Sequence, residues 1–170
     1  MFSDQYPTFQ RGRVLKSTML ENLRDYPRNF TELYFQDYSD GIMTGAMISV
    51  DESFLTISKG IVKYNGRLYM LEKDVQLPYV ATGKETLVKI KFHNEQPQPD
   101  FIAYETTVFL EESRSIQRDE LELGRFKMKE GAMLRTKHTD FYDFATEYNT
   151  VNYIHCEFAG METSTLHPLL

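Results

Sequence analysis

The chain of 170 residues contains no tryptophan and a single cysteine, and none of its apolar runs is long. With Cys156 alone, no disulfide can form within the chain, so the fold rests on packing, as suits a protein folded in a reducing cytoplasm. No segment approaches the roughly 20 apolar residues that a membrane span requires. The opening "MFSDQYPTFQRGR" lacks the apolar stretch of a signal peptide. These absences describe a soluble protein made in the cytoplasm. Concentrated positive charge is missing too. The net charge is −6, and the best basic runs, "VKIKF" and "RFKMKE", alternate Lys with apolar residues as a half-exposed strand does. A nucleic-acid reader needs a basic face, which this pattern does not supply.

Catalytic vocabulary is equally thin. "VATGKET" places Gly83-Lys84 before Thr86, but a phosphate loop needs a glycine five residues earlier, where this chain has Pro78. The residue after Lys84 is Glu85, where a hydroxyl should hold magnesium, so the segment reads as a turn. His155 and Cys156 are neighbours, and neighbours in an extended segment point to opposite faces, so this imidazole cannot readily activate this thiol. A lone cysteine reads more readily as a small core residue. His93, His138, His155 and His167 show no metal-ligand spacing. Asp140, Asp143 and Glu147 could share a helix face towards a cation, but the glycine and alternating oxygens of a calcium loop are absent, which favours a solvated or capping face. No catalytic residue, metal or cofactor is implied.

What the chain does hold is apolar material: 41% of its residues, with 12 Phe and 11 Tyr, enough for a core and suited to strands and wet interfaces. The clearest element is "SKGIVKYNGRLYML". Asn65-Gly66 calls for a type I′ turn, which sets Tyr64 opposite Arg67, Lys63 opposite Leu68, Val62 opposite Tyr69 and Ile61 opposite Met70. Gly60 suggests a bend at the entry. Strands are also expected at Met43–Val50, at Phe54–Ile57, in "DVQLPYV" as an edge interrupted by Pro78, and in "TLVKIKFH" with Val88, Ile90 and Phe92 on one face and Lys89 and Lys91 on the other. "FIAYETTVFLEE" and "LELGRFKMKEG", the latter broken at Gly124, complete the set.

The expected fold is mainly β, an antiparallel sandwich or barrel-like body of roughly seven or eight short strands, flanked by a short N-terminal helix and a small C-terminal α/extended segment. The boundaries are an arm at 1–28, a β domain at 29–135 and a last segment at 136–170. The helix is read from Ser17 to Asp25, with Ser17 or Thr18 as a cap and Pro27 as the stop, while "RNFTELYFQDYSDGI" fits a helical turn or an extended segment. Its stripe of Leu15, Met19, Leu20 and Leu23 needs something to dock on and is a candidate interface. "HTDFYDFATEY" reads as a second short helix capped at Thr139 or Asp140, and "VNYIHCEF" as a strand or arm. "STLHPLL" resembles a helix beginning where the chain stops, as in a fragment of something longer.

Three segments together resemble tail or baseplate structural proteins of phages and prophages of Gram-positive bacteria. They are Asp40-Gly41-Ile42-Met43-Thr44-Gly45, the "SKGIVKYNGRLY" hairpin, and Gly124 to Arg135. Open reading frames of this kind are sometimes labelled helicases, which the failed phosphate loop excludes here. The resemblance implies a virion building block, assembled in the host cytoplasm and packed against other tail or baseplate proteins, with a symmetric homo-oligomer as the expected state. No nucleic acid and no membrane is expected as a partner. The alternative is a receptor- or glycan-binding module of a tail tip, for which Tyr6, Tyr26, Tyr34, Tyr38, Tyr142 and Tyr148 are the candidate ligand-facing aromatics and a cell-wall glycan the candidate ligand.

Overall fold

The computed structural model describes residues 3–100, 102–143 and 148–161. Among the described residues the one helix, α1, covers Ser17–Tyr34 and passes through Pro27 instead of stopping there. Proline removes one N–H and crowds the carbonyl four residues back, which weakens a helix without forbidding it. Beyond it, Phe30, Leu33 and Tyr34 continue the apolar period, and the Thr31 hydroxyl donates to the Pro27 carbonyl at 2.6 Å. The ambiguous "RNFTELY" is therefore helical. Neither Ser17 nor Thr18 caps it: the cap position is Lys16, which makes no side-chain capping bond. The last expected helix, at "STLHPLL", lies outside the described residues.

Two compact units divide the chain, one running to Tyr38 and resumed from Met161, the other Ser39–Gly160. The second holds the strands: β1 (Gly41–Gly45), β2 (Ile48–Val50), β3 (Phe54–Ile57), β4 (Gly60–Tyr64), β5 (Arg67–Leu71), β6 (Val75–Pro78), β7 (Glu85–Phe92), β8 (Gln96–Pro97), β9 (Ile102–Ala103), β10 (Thr106–Glu111) and β11 (Glu120–Lys127). They form four antiparallel sheets, ordered β1-β4-β5, β2-β3-β6, β10-β7-β11 and β8-β9. Among the described residues no closed barrel or two-layer sandwich is seen. The β4–β5 hairpin has all four expected cross-strand pairs, and Asn65 and Gly66 both take positive φ, 49° and 73°. β6 is an edge, as Pro78 requires.

Where one strand was expected over Met43–Val50, β1 and β2 part at Gly45 and Ala46, both at positive φ. The reason is a close crossing. A Cβ on Gly60 would lie 2.3 Å from the Ala46 nitrogen, and one on Gly45 2.2 Å from the Lys59 carbonyl oxygen. Only glycine lets the two backbones meet there. The bulge of this pair falls between Ile42 and Thr44 of β1 and not at Gly60. "FIAYETTVFLEE" likewise divides, into β9 and β10.

One core unites the three larger sheets: Ile42, Ile48, Leu55, Ile57 and Val62 pack with Val88, Ile90, Leu121, Leu123 and Phe126. Tyr64 of the hairpin stacks on Phe92 of β7, with ring centres 4.0 Å apart. The segment from Thr150 to Gly160 lies across this body as a strap of isolated bridges, Asn152 to Arg125 and Phe158 to Ile42. The strap closes the unit: the Ser39 N–H donates to the Gly160 carbonyl at 2.9 Å, and the Gly160 N–H to the Ser39 hydroxyl at 3.1 Å. The expected helix at "HTDFYDFATEY" is, over its described residues to Asp143, a set of turns. There the Asp140 carboxylate accepts the Tyr142 N–H and the Asp143 carboxylate the Thr139 N–H. Such bonds compete with helix formation.

Candidate functional site

β7 is the middle strand of its sheet, and Lys89, on the face a half-exposed strand would leave to water, has a side chain 0% exposed because the loop after β10 covers it. Its ammonium donates to Glu111 at 2.6 Å, to the Ser115 carbonyl at 2.5 Å and to Glu120 at 3.0 Å. All three protons of the ammonium are thereby used. Burial alone would lower its pKa, but the bonds and charges of Glu111 and Glu120 outweigh that and hold it above the ordinary value. Burial would likewise raise Glu120, yet the Gln117 N–H and the Lys89 ammonium hold its carboxyl below the ordinary value. The result is a pin that ties the loop after β10 to the sheet.

A second buried pair is equally saturated. Arg125 grips Glu122 through two bonds of 2.6 Å and reaches Glu85 at 3.6 Å. Cys156 is half-buried nearby; burial first, then the negative charge of Glu122, pushes its thiol up to about 12, so it is protonated at neutral pH. Lys84 pairs with Glu112 at 2.9 Å, in the turn that imitates a phosphate loop. Asp143, a candidate cation ligand, is held by Arg135 at 2.5 and 2.9 Å; Glu147 lies outside the described residues. Among the described residues no group of three or more His, Cys, Asp or Glu side chains is placed to hold a metal, no buried side-chain polar atom lacks a partner, and no helix is long and apolar enough to cross a membrane.

Two features offer surface to another molecule. The first is a polar groove of about 250 Å³ at the hairpin tip, lined by Tyr64, Arg67, Tyr69, Asn94, Tyr104 and Asp119 among others. The hairpin register puts Tyr64, Arg67 and Tyr69 on one side of β4–β5. β7 and its loop add His93, Asn94 and Glu95. The Arg67 guanidinium lies 3.8 Å over the Tyr104 ring, whose hydroxyl donates to Glu95, and His93 bonds Thr107 at 2.7 Å. The Asp40 carboxylate accepts the Asn65 N–H at 2.8 Å, which steadies the turn. Phenols, amides and carboxylates that can address a polar ligand thus converge on one concavity.

The second feature is α1. None of its 18 residues is buried. Of the candidate interface residues, Leu15 precedes the helix and is exposed, Met19 is half-buried, and Leu20 and Leu23 are each 49% exposed. Tyr26, Phe30, Leu33 and Tyr34 extend the exposed apolar surface along the second half, which the reading of a short helix missed; the signal was the continued period beyond Pro27. Among the candidate aromatics, Tyr6, Tyr26, Tyr34 and Tyr38 belong to the helical unit. In the β unit Tyr142 is 84% exposed, and Tyr148 lies beneath the ammonium groups of Lys127 and Lys129 at 4.4 and 4.1 Å. The groove's own aromatics, Tyr64, Tyr69 and Tyr104, are a different set. Compared with known proteins, the chain matches no family model, no curated protein and no solved structure.

Proposed function

We propose that the chain is a structural component of a phage tail tip or baseplate, or of a related contractile particle, acting as an adaptor through protein–protein contacts and not as an enzyme. It is assembled in the bacterial cytoplasm into the virion tail, against other tail proteins and its own copies. The observation that carries this reading is α1: a helix with no buried residue that presents leucines and aromatics is a surface kept for neighbours. The resemblance of Asp40 to Gly45, the hairpin and Gly124 to Arg135 to tail and baseplate proteins supports the same reading. The test is mass spectrometry of particles induced from the bacterium that encodes the chain and purified by density gradient. Its peptides in the particle band at the stoichiometry of a tail part would support the reading; peptides confined to the free protein fraction would sink it.

The groove favours a second reading, recognition of a cell-wall glycan, because Arg67, Asn65, Asn94, Glu95 and Asp119 offer donors and acceptors beside phenol rings. Cosedimentation of the protein with purified cell walls, lost in Arg67→Ala and kept in Tyr142→Ala, is the expected outcome. Equal binding by both variants would remove the groove from consideration.

A further inference from the structure

We infer that α1 is the stem of a parallel self-assembled bundle of three or more copies of this chain. This rests on the structural reading above and names the partner: a second copy, helix against helix. The spacing is the first argument. Met19, Leu23, Tyr26, Phe30 and Leu33 recur at alternating intervals of four and three residues, the seam of helices packed by knobs into holes. Leu20 and Tyr34 flank the seam on one side, widening it beyond the narrow stripe that suits two helices and towards the broader face of a larger bundle. A bundle of three identical helices closed by rotation about one axis is necessarily parallel.

Charge is the second argument. Glu21, Arg24, Asp25, Arg28 and Glu32 all fall on the opposite side of the helix, and four of them are paired within it, Arg24 with Asp25 at 2.6 Å and Arg28 with Glu32 at 3.0 Å. The other flank of the seam is formed by Asn22 and Asn29. Pairing with a different chain is commonly set by charges beside the seam. Here those positions carry none, so identical copies meet without repulsion and nothing selects a foreign partner.

Energetics is the third. The helix has a proline within it, no side-chain cap and no buried residue. A helix of this length is marginal alone and draws its stability from packing of its apolar face. Leu20, Leu23, Tyr26, Phe30, Leu33 and Tyr34 leave on the order of 600 Å² uncovered, near the ~800 Å² each partner contributes to a stable interface.

Light scattering of the full chain over a wide concentration range tests this. A mass three or more times that of the chain is expected, falling at least threefold, to the monomer, in the double variant Leu23→Asp with Phe30→Asp and unchanged in Arg28→Ala. A wild-type chain that stays monomeric or dimeric, or a double variant with unaltered mass, overturns the bundle. Oxidative crosslinking gives a readout independent of how that variant folds. Leu23→Cys forms disulfide-linked dimers of chains while Glu21→Cys and the wild type do not; equal crosslinking of the two positions also overturns it. A monomer would leave the tail assignment standing on the particle spectra, and a trimer absent from particles would overturn the tail assignment alone.

Discussion

Lys89 with Glu120 and Arg28 with Glu32 are ion pairs of the same length, 3.0 Å, in opposite circumstances. The first lies inside the β unit, with 0% and 6% of the two side chains exposed; the second rides on the surface of α1 with 62% and 43% exposed. In the interior, water has been replaced by a few fixed partners, so removing one leaves a buried charge with too few of them. On the helix, water takes over at once. The two units differ throughout in this way. The β unit encloses a core and buried ion pairs, whereas no residue of α1 is buried and its ion pairs stay in water.

The largest expected effect sharpens that contrast at the Gly45–Gly60 crossing. Gly60→Val would drive side-chain carbon into the Ala46 backbone, which cannot give way as a flexible side chain would. We expect a loss of about 4 kcal/mol or more in chemical denaturation, most of the stability of a typical domain. A midpoint shift of less than half that would mean the crossing relaxes.

Lys89→Ala follows, at about 3 kcal/mol by the same measurement, the lower end for breaking a buried pair because Glu111 is 43% exposed and can turn to water. Its pH dependence can be read from the same groups. Glu120 is held below its ordinary 4.5, so its stabilising contribution is present above that value and lost as pH falls through the lower folded value. Lys89 is held above its ordinary 10.5, so its contribution is present below that value and lost as pH rises through the higher folded value. These two groups give no slope between their limits, while the raised Cys156 thiol starts to lower the unfolding midpoint as pH passes its ordinary 9.0, and Glu120→Gln should flatten the acid side. An acid limb unchanged in that variant would assign it to other carboxylates. The smallest effect belongs to the helix, where Arg28→Ala should change stability by no more than about 0.5 kcal/mol. A larger loss there would erase the contrast between the units.

Local chemistry was legible in the sequence wherever it decided the outcome. Asn65-Gly66 specified turn, twist and register together, and Pro78 marked an edge because an edge is where a missing N–H does no harm. Alternation of Lys with apolar residues describes a strand with one wet face, which holds for Lys91 at 41% exposure; Lys89 departs from it because Glu111 and the Ser115 carbonyl of the loop after β10 cover it, and no local pattern announces that loop. Pro27 was overweighted: its local penalty is real, but the period on either side persists. Half of the groove was available in advance, since the register puts Tyr64, Arg67 and Tyr69 on one side. Tyr104 and Asp119 join them only through the distant pairing of β7 with β10 and β11, which no local pattern announces.

The reciprocal bonds between Ser39 and Gly160 have a further consequence. The β unit enters and leaves the chain at neighbouring points, so in covalent terms it is a cassette spliced between residues 38 and 161. Insertions joined at adjacent ends are well tolerated, because the host segment need not stretch to receive them. A different body with closely spaced ends could therefore be joined at the same two residues.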